Sequence, residues 1–150
     1  MSNRAAIARE MPSLLAHEGE WAGSYRHVDA DGSPVDQHEA RIRCEFPDTG
    51  APHYVQHNHF LWPDGRETRA TLPGVLLDGR LHWDTPTFSG SAWEGGGGTI
   101  LLTLDRKDEP DTRFTEIIIL GEGGRHRART WHWFCGGQLI RRTLCTESRV

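Results

Sequence analysis

Residues 37–46 alternate cleanly, with His38, Ala40, Ile42, Cys44 and Phe46 on one parity and Gln37, Glu39, Arg41, Arg43 and Glu45 on the other. Such a period of two is what a half-buried strand requires. The stretch 99–106 repeats it, Ile100, Leu102 and Leu104 against Thr99, Thr103 and Asp105, and 112–120 is nearly apolar on both faces over 117–120. Turn chemistry punctuates the chain at Asp31-Gly32, Pro47-Asp48-Thr49-Gly50, Pro63-Asp64-Gly65, Asp78-Gly79, the glycine run 95–98, Pro110-Asp111, the segment 121–124 and Gly136-Gly137. The spacing of about 10–16 residues is the rhythm of an antiparallel meander. Strands are predicted at 19–29, 37–46, 53–62, 67–72, 80–85, 87–94, 99–106, 112–120, 125–135 and 138–147. Ahead of them, Ser2 or Asn3 caps a short helix through about Glu10, and Pro12 opens a second helical turn over 13–17. Eight to ten short strands hide their edges by closing, so the expected architecture is an all-β antiparallel barrel with the short N-terminal helix covering one end near Trp21.

Composition narrows the function classes. The 150 residues are read as one domain, 1–150. Only 36% are hydrophobic, but six Trp, five Phe and two Tyr supply large surfaces to bury. Seventeen Lys and Arg against twenty-one Asp and Glu give a net charge of −4 with no basic stripe, which argues against a nucleic-acid partner. The apolar run 117–120 is far short of the roughly 20 residues of a membrane helix, and Met1-Ser2-Asn3-Arg4 leads into no secretory core, so the expectation is a cytoplasmic protein without a membrane partner. Cys44, Cys135 and Cys145 lack pairing or zinc-type spacing and are read as small buried residues. A homodimer is left open.

Strand parity selects the candidate chemistry. On 53–62, Tyr54, Gln56, Asn58, Phe60 and Trp62 share one face and His53, Val55, His57, His59 and Leu61 the other. The first face furnishes a cavity with rings and amides; the second would set His57 and His59 side by side as metal ligands. On 125–135 the face of His126, Ala128, Thr130, His132 and Phe134 is the less charged and is expected to point inward, carrying His132 as an acid or base and Thr130 beside it. Were the face of Arg127, Arg129 and Trp131 the interior instead, the cavity would select an anion. Glu116 shares a face with Phe114, Ile118 and Leu120, either as a perturbed buried carboxylate or paired with Arg129. Tyr25 and His27 continue the face of Trp21, His27 near the barrel mouth.

The opening Gly19-Glu20-Trp21-Ala22-Gly23-Ser24-Tyr25 resembles the Gly-x-Trp entry of lipocalin-like (calycin) barrels. The chain as a whole, with Tyr54-x-Gln56-x-Asn58-x-Phe60-x-Trp62 and Arg129-Thr130-Trp131-His132-Trp133, is similar to small bacterial lipocalin-like proteins near the bilin-lyase-like branch of that superfamily. The resemblance implies a ligand cavity and an Arg from a late strand packed across Trp21, for which Arg142 is the first candidate and Arg129 the second. It implies no reaction, and no Cys stands where a tetrapyrrole would be covalently held. A second, partial likeness is to the cupin metal motifs: Gly50, His57-x-His59 and Asp64, then Gly79-x-x-His82. Here the Pro and terminal Asn of the second motif are missing, and Asp64 lies in a turn. The chain is therefore read as free of metal and cofactor, with a cupin-like enzyme using His57, His59 and His82 as an alternative.

The leading expectation is a cavity for a hydrophobic or aromatic small molecule, with Trp21, Tyr54, Gln56, Asn58, Phe60, Arg129 and Thr130 as ligand contacts. The alternative is a cofactor-independent lyase, isomerase or hydratase drawing on Tyr25, Glu116 and His132. Haem ligation by His132 is a third.

Overall fold

The computed structural model describes residues 2–150, and these form two short helices followed by ten strands. The helices are α1 (Asn3–Glu10) and α2 (Pro12–Leu15). The strands are β1 (Gly19–Asp29), β2 (Pro34–Glu45), β3 (Tyr54–Leu61), β4 (Glu67–Leu77), β5 (Arg80–Asp84), β6 (Phe88–Gly96), β7 (Thr99–Arg106), β8 (Thr112–Leu120), β9 (His126–Cys135) and β10 (Gln138–Arg149). Each pairs antiparallel with its neighbour in sequence, and β1 pairs with β10 to close the barrel. This is the closed antiparallel barrel that the alternation predicted.

Two hairpins illustrate how local chemistry sets the register. Asp78-Gly79 and Gly136-Gly137 both have positive φ at the two central positions, the type I′ geometry whose twist matches that of the flanking strands. Strand β4 runs on to Leu77, past the predicted end at 72 and through Pro73. The Gly74 carbonyl faces β3, where it accepts from the His53 N–H at 2.9 Å. The Pro73 nitrogen therefore faces β5, whose pairing begins only at Val75, and no ladder bond is lost.

The helices plug one end. Ser2 Oγ accepts from the Ala5 N–H and caps α1, while Asn3 Nδ2 donates to the Gly50 carbonyl at 2.7 Å and ties the helix to the β2–β3 loop. Glu94 Oε1 at the end of β6 accepts from the N–H groups of Ser13 and Leu14, holding α2. Ile7, Met11 and Leu14 are buried beneath the plug. Trp21 is fully buried there and donates Nε1–H to the His17 carbonyl at 3.0 Å.

The cation across Trp21 differs from expectation. Arg127 and Arg149 both stack on the indole, their guanidinium carbons 4.5 and 4.3 Å from the ring centroid. Arg142 has the parity opposite to the buried Thr143, Cys145 and Glu147, so its side chain leaves the barrel on the outer face, and Arg129 stacks instead on Tyr25 and Trp131. Cys44 and Cys145 are buried as predicted, whereas Cys135, at the end of β9, is exposed. Among the described residues no helix is long and apolar enough to cross a membrane.

Candidate functional site

Inside the barrel lies a cavity of about 350 Å³, within the ordinary range of roughly 300–1,000 Å³ for small-molecule sites. Its wall is aromatic and aliphatic: Phe60 and Tyr54 from β3, Trp83 from β5, Phe114 from β8, Trp131 and Trp133 from β9, with Leu72, Ile100, Leu102 and Leu104 between them. The rings are packed against one another, Tyr25 on Phe60 at 5.0 Å and on Trp131 at 5.3 Å, Phe114 on Trp133 at 4.8 Å. Rings held this way are preorganised for a flat partner.

Strand β3 turns its ring-and-amide face inward. Along it the Tyr54 hydroxyl donates to Gln56 Oε1 at 3.1 Å, and Gln56 Nε2 donates to Asn58 Oδ1 at 2.8 Å, a polar track up an otherwise apolar wall. His57 and His59 stand on the outer face, paired with Glu45 at 2.8 Å and Glu67 at 3.2 Å. His82 is on β5, hydrogen-bonded to the Leu77 carbonyl. The cupin-like reading finds no support in that arrangement: His57, His59 and His82 all stand on the outer face, with the barrel wall between them and the cavity, and among the described residues they do not gather as a metal-ligand group.

Strand β9 faces the other way from expectation. Arg127, Arg129 and Trp131 are buried and His132 is exposed, with Thr130 half-buried on the same outer side. Neither His132 nor Thr130 lines the cavity, and His132 is placed neither to act as its acid or base nor to ligate a haem in it. The reason is the flanking strands: β8 and β10 each contribute one buried carboxylate, Glu116 and Glu147, and a buried carboxylate needs a cation beside it. Trp21 also lies apart from the cavity, below the arginine layer at the plugged end.

That layer forms the cavity floor. Arg129 donates Nε–H to Glu116 Oε2 at 2.7 Å and Nη1–H to the Tyr25 hydroxyl at 2.7 Å and to Glu147 Oε1 at 3.4 Å. Behind it Arg127 grips Glu147 with two bonds of 3.0 and 3.2 Å and donates Nη1–H to His17 Nδ1 at 3.3 Å. Two guanidinium and two carboxylate charges cancel, so an inward Arg face does not create an anion-selective cavity. Burial pushes the Glu147 carboxyl up, but the charges of Arg129 and Arg127 outweigh it and hold the group below its ordinary value. Burial keeps the Tyr25 phenol protonated, well above its ordinary range. Among the described residues, Arg129 Nη2 and Glu116 Oε1 make no hydrogen bond, although both residues line the cavity. The floor thus presents one free donor beside one free acceptor.

At the opposite, unplugged end stand His27, Asp36, His38 and Trp62. Trp62 Nε1 donates to Asp36 at 2.9 Å, His38 packs on Trp62 with ring centroids 4.4 Å apart, and Thr143 Oγ1 is 2.7 Å from His27 Nδ1 and accepts from Trp133 Nε1 at 2.9 Å. Burial pulls His27 down to about 4, helped by His38 and Arg141, and His38 is also lowered by burial. Strand parity puts His27 near the mouth and His38 on the apolar face of β2, but nothing along one strand shows that β1 and β2 bring them together.

Burial also lowers His17 to about 3, with Arg127 adding to the effect. The unfolded chain therefore takes up a proton near pH 6.5 that the native state refuses, and stability should fall as pH drops from about 6.5 toward 3. The slope from His17 is up to about 1.4 kcal/mol per pH unit. His27 and His38 act in the same direction, and Glu147 adds its loss only below its ordinary 4.5. Denaturant unfolding at pH 6 and 4.5 should give a smaller stability difference in His17→Gln than in wild type; equal differences would contradict the assignment.

No protein-family model matches the sequence, and no curated protein is similar to it at the sequence level. Solved structures are similar in fold. A protein of unknown function of the DUF3598 family from Nostoc punctiforme superposes with TM-score 0.67 at 19% identity, over 91% of this chain and 49% of that one. The chain thus spans about half the length of that protein. The S-type phycobiliprotein lyase CPES from Guillardia theta gives TM-score 0.72 at 13% identity over 100% and 93% of the two chains. Rv2717c from M. tuberculosis gives 0.63 at 14% over 94% and 97%. At these identities the likeness is one of fold.

Proposed function

We propose that the barrel binds a flat, conjugated, pigment-like small molecule, rings against Phe60, Phe114 and Trp131, with a polar edge carrying adjacent donor and acceptor atoms at the floor. The observation that carries this reading is the pair of free atoms, Arg129 Nη2 and Glu116 Oε1, inside a ring-lined and charge-balanced cavity. A neutral edge that accepts from one and donates to the other satisfies both without adding a charge, which an anion would leave uncompensated. Similarity of fold to a phycobiliprotein lyase supports a ligand of this class. Tyr25, Gln56 and Asn58 offer further polar contacts along the wall.

The test is quenching of tryptophan fluorescence, since Trp83, Trp131 and Trp133 all line the cavity. A linear tetrapyrrole and a neutral polycyclic lactam are titrated beside a long-chain fatty acid. Saturable quenching by a ring compound, at least tenfold tighter than by the fatty acid, is expected. Ala92→Phe, which fills the cavity from β6, should abolish it. Tighter binding of the fatty acid, or unchanged quenching in Ala92→Phe, would refute the reading.

A further inference from the structure

The mouth of the barrel gathers three metal-ligating side chains that the floor chemistry does not use. His27 on β1 lies opposite Asp36 on β2, and His38 follows Asp36 on the same strand face. Each offers one ligand atom, and the three atoms lie within 4.8 Å of one another. The His27 and His38 ring centroids are 5.4 Å apart. A second observation is independent of that spacing: His38 is only 5% exposed, yet its Nε2 has no hydrogen-bond partner among the described residues. A buried imidazole nitrogen left unsatisfied costs about 1–3 kcal/mol, and in a native structure it calls for a partner.

We propose that His27, Asp36 and His38 form a binding site for one divalent first-row transition ion, of the zinc or ferrous class, at the cavity mouth. Two imidazoles and one carboxylate are the donor set such ions take, whereas calcium and magnesium prefer oxygen alone. The neighbours orient the ligands. Thr143 Oγ1 engages His27 Nδ1 and leaves Nε2 for the ion, while Trp62 Nε1 steadies the Asp36 carboxylate. Asp36 accepts from Trp62 and lies 3.3 Å from His38 Nδ1, and with about four lone-pair sites on a carboxylate it keeps capacity for an ion. Three protein ligands leave coordination positions open, and His27 and His38 both line the cavity. An ion here can therefore be reached by a nitrogen, oxygen or sulfur atom of a molecule inside the barrel. His57 and His59, the pair that sequence spacing singles out, are occupied by Glu45 and Glu67 on the outer wall.

The site is tested on chelator-treated protein with no organic ligand present, so failure of the binding proposal for the cavity floor has no bearing on it. Co²⁺ is titrated and followed by its visible d–d absorption, then displaced with Zn²⁺. One equivalent is expected to bind, and His27→Asn and Asp36→Asn should each weaken it at least tenfold. The half-buried position of His27 lets its variant fold where His38→Ala, in the packed wall, risks not doing so; circular dichroism melts verify each fold. A His57→Asn/His59→Asn variant should bind as wild type does. Absence of saturable binding, unchanged binding in His27→Asn, or loss of binding in the His57→Asn/His59→Asn variant would each overturn the proposal.

Discussion

Gly23→Ala should open the barrel at its closing seam. A Cβ placed on Gly23 would stand 1.9 Å from the Thr146 carbonyl oxygen and 2.8 Å from the Glu147 Cα, both backbone atoms of β10. Backbone in a paired strand cannot swing aside as a side-chain tip can, so β1 must move off β10, and that pairing is what closes the ring of strands. Relief by displacement also disturbs Glu147, which sits directly opposite Gly23 and holds both buried arginines. The expected loss is above about 3 kcal/mol, a large share of a typical 5–15 kcal/mol stability. In a chain of this size it lowers the melting temperature by roughly 10 °C or leaves the protein unfolded. A Gly23→Ala variant that melts within about 2 °C of wild type would show that the strands do not approach this closely.

The second large effect concerns the cavity floor. Arg129→Met should cost about 3–5 kcal/mol, because it strands the Glu116 carboxylate in an apolar interior. Glu116 is 1% exposed, and Arg129 Nε is its only hydrogen-bond partner among the described residues. Arg129→Met/Glu116→Leu should recover most of that loss, since both charges leave together and Glu147 keeps its two bonds to Arg127. Urea unfolding of the wild type, the two single variants and the double variant closes a cycle whose coupling energy is expected to exceed about 2 kcal/mol. Additive losses would mean that the pair is not energetically coupled.

The boundaries of β1, β7 and β8 are legible because glycines and acidic turn residues mark both ends, and the inner face of β2 follows from its charges. The face of β3 follows from the rings, which gain more by burial than the histidines do. Strand β9 misleads because charge is usually a guide to the outside, and along one strand the His132 face is indeed the less charged. What decides its orientation is Glu116 on β8 and Glu147 on β10, so the information is in the sequence but spread over three strands. A buried carboxylate on an apolar face is the available signal: Glu116 demands an inward cation from its neighbouring strand. The His27, Asp36 and His38 grouping was hidden for a related reason, being a cross-strand contact between β1 and β2 whose register the His27–Val28 bulge shifts.

The central claim is that the free donor and acceptor of the Arg129–Glu116 pair hold a ring-bearing ligand at the cavity floor. It is tested most directly by the dissociation constant of the tightest-binding ring compound for wild type and for Arg129→Met/Glu116→Leu. The double variant keeps the fold and the aromatic wall while removing both polar partners. Loss of two hydrogen bonds, each worth about 1 kcal/mol, predicts affinity roughly ten- to a hundredfold weaker. Affinity equal to wild type would contradict the account.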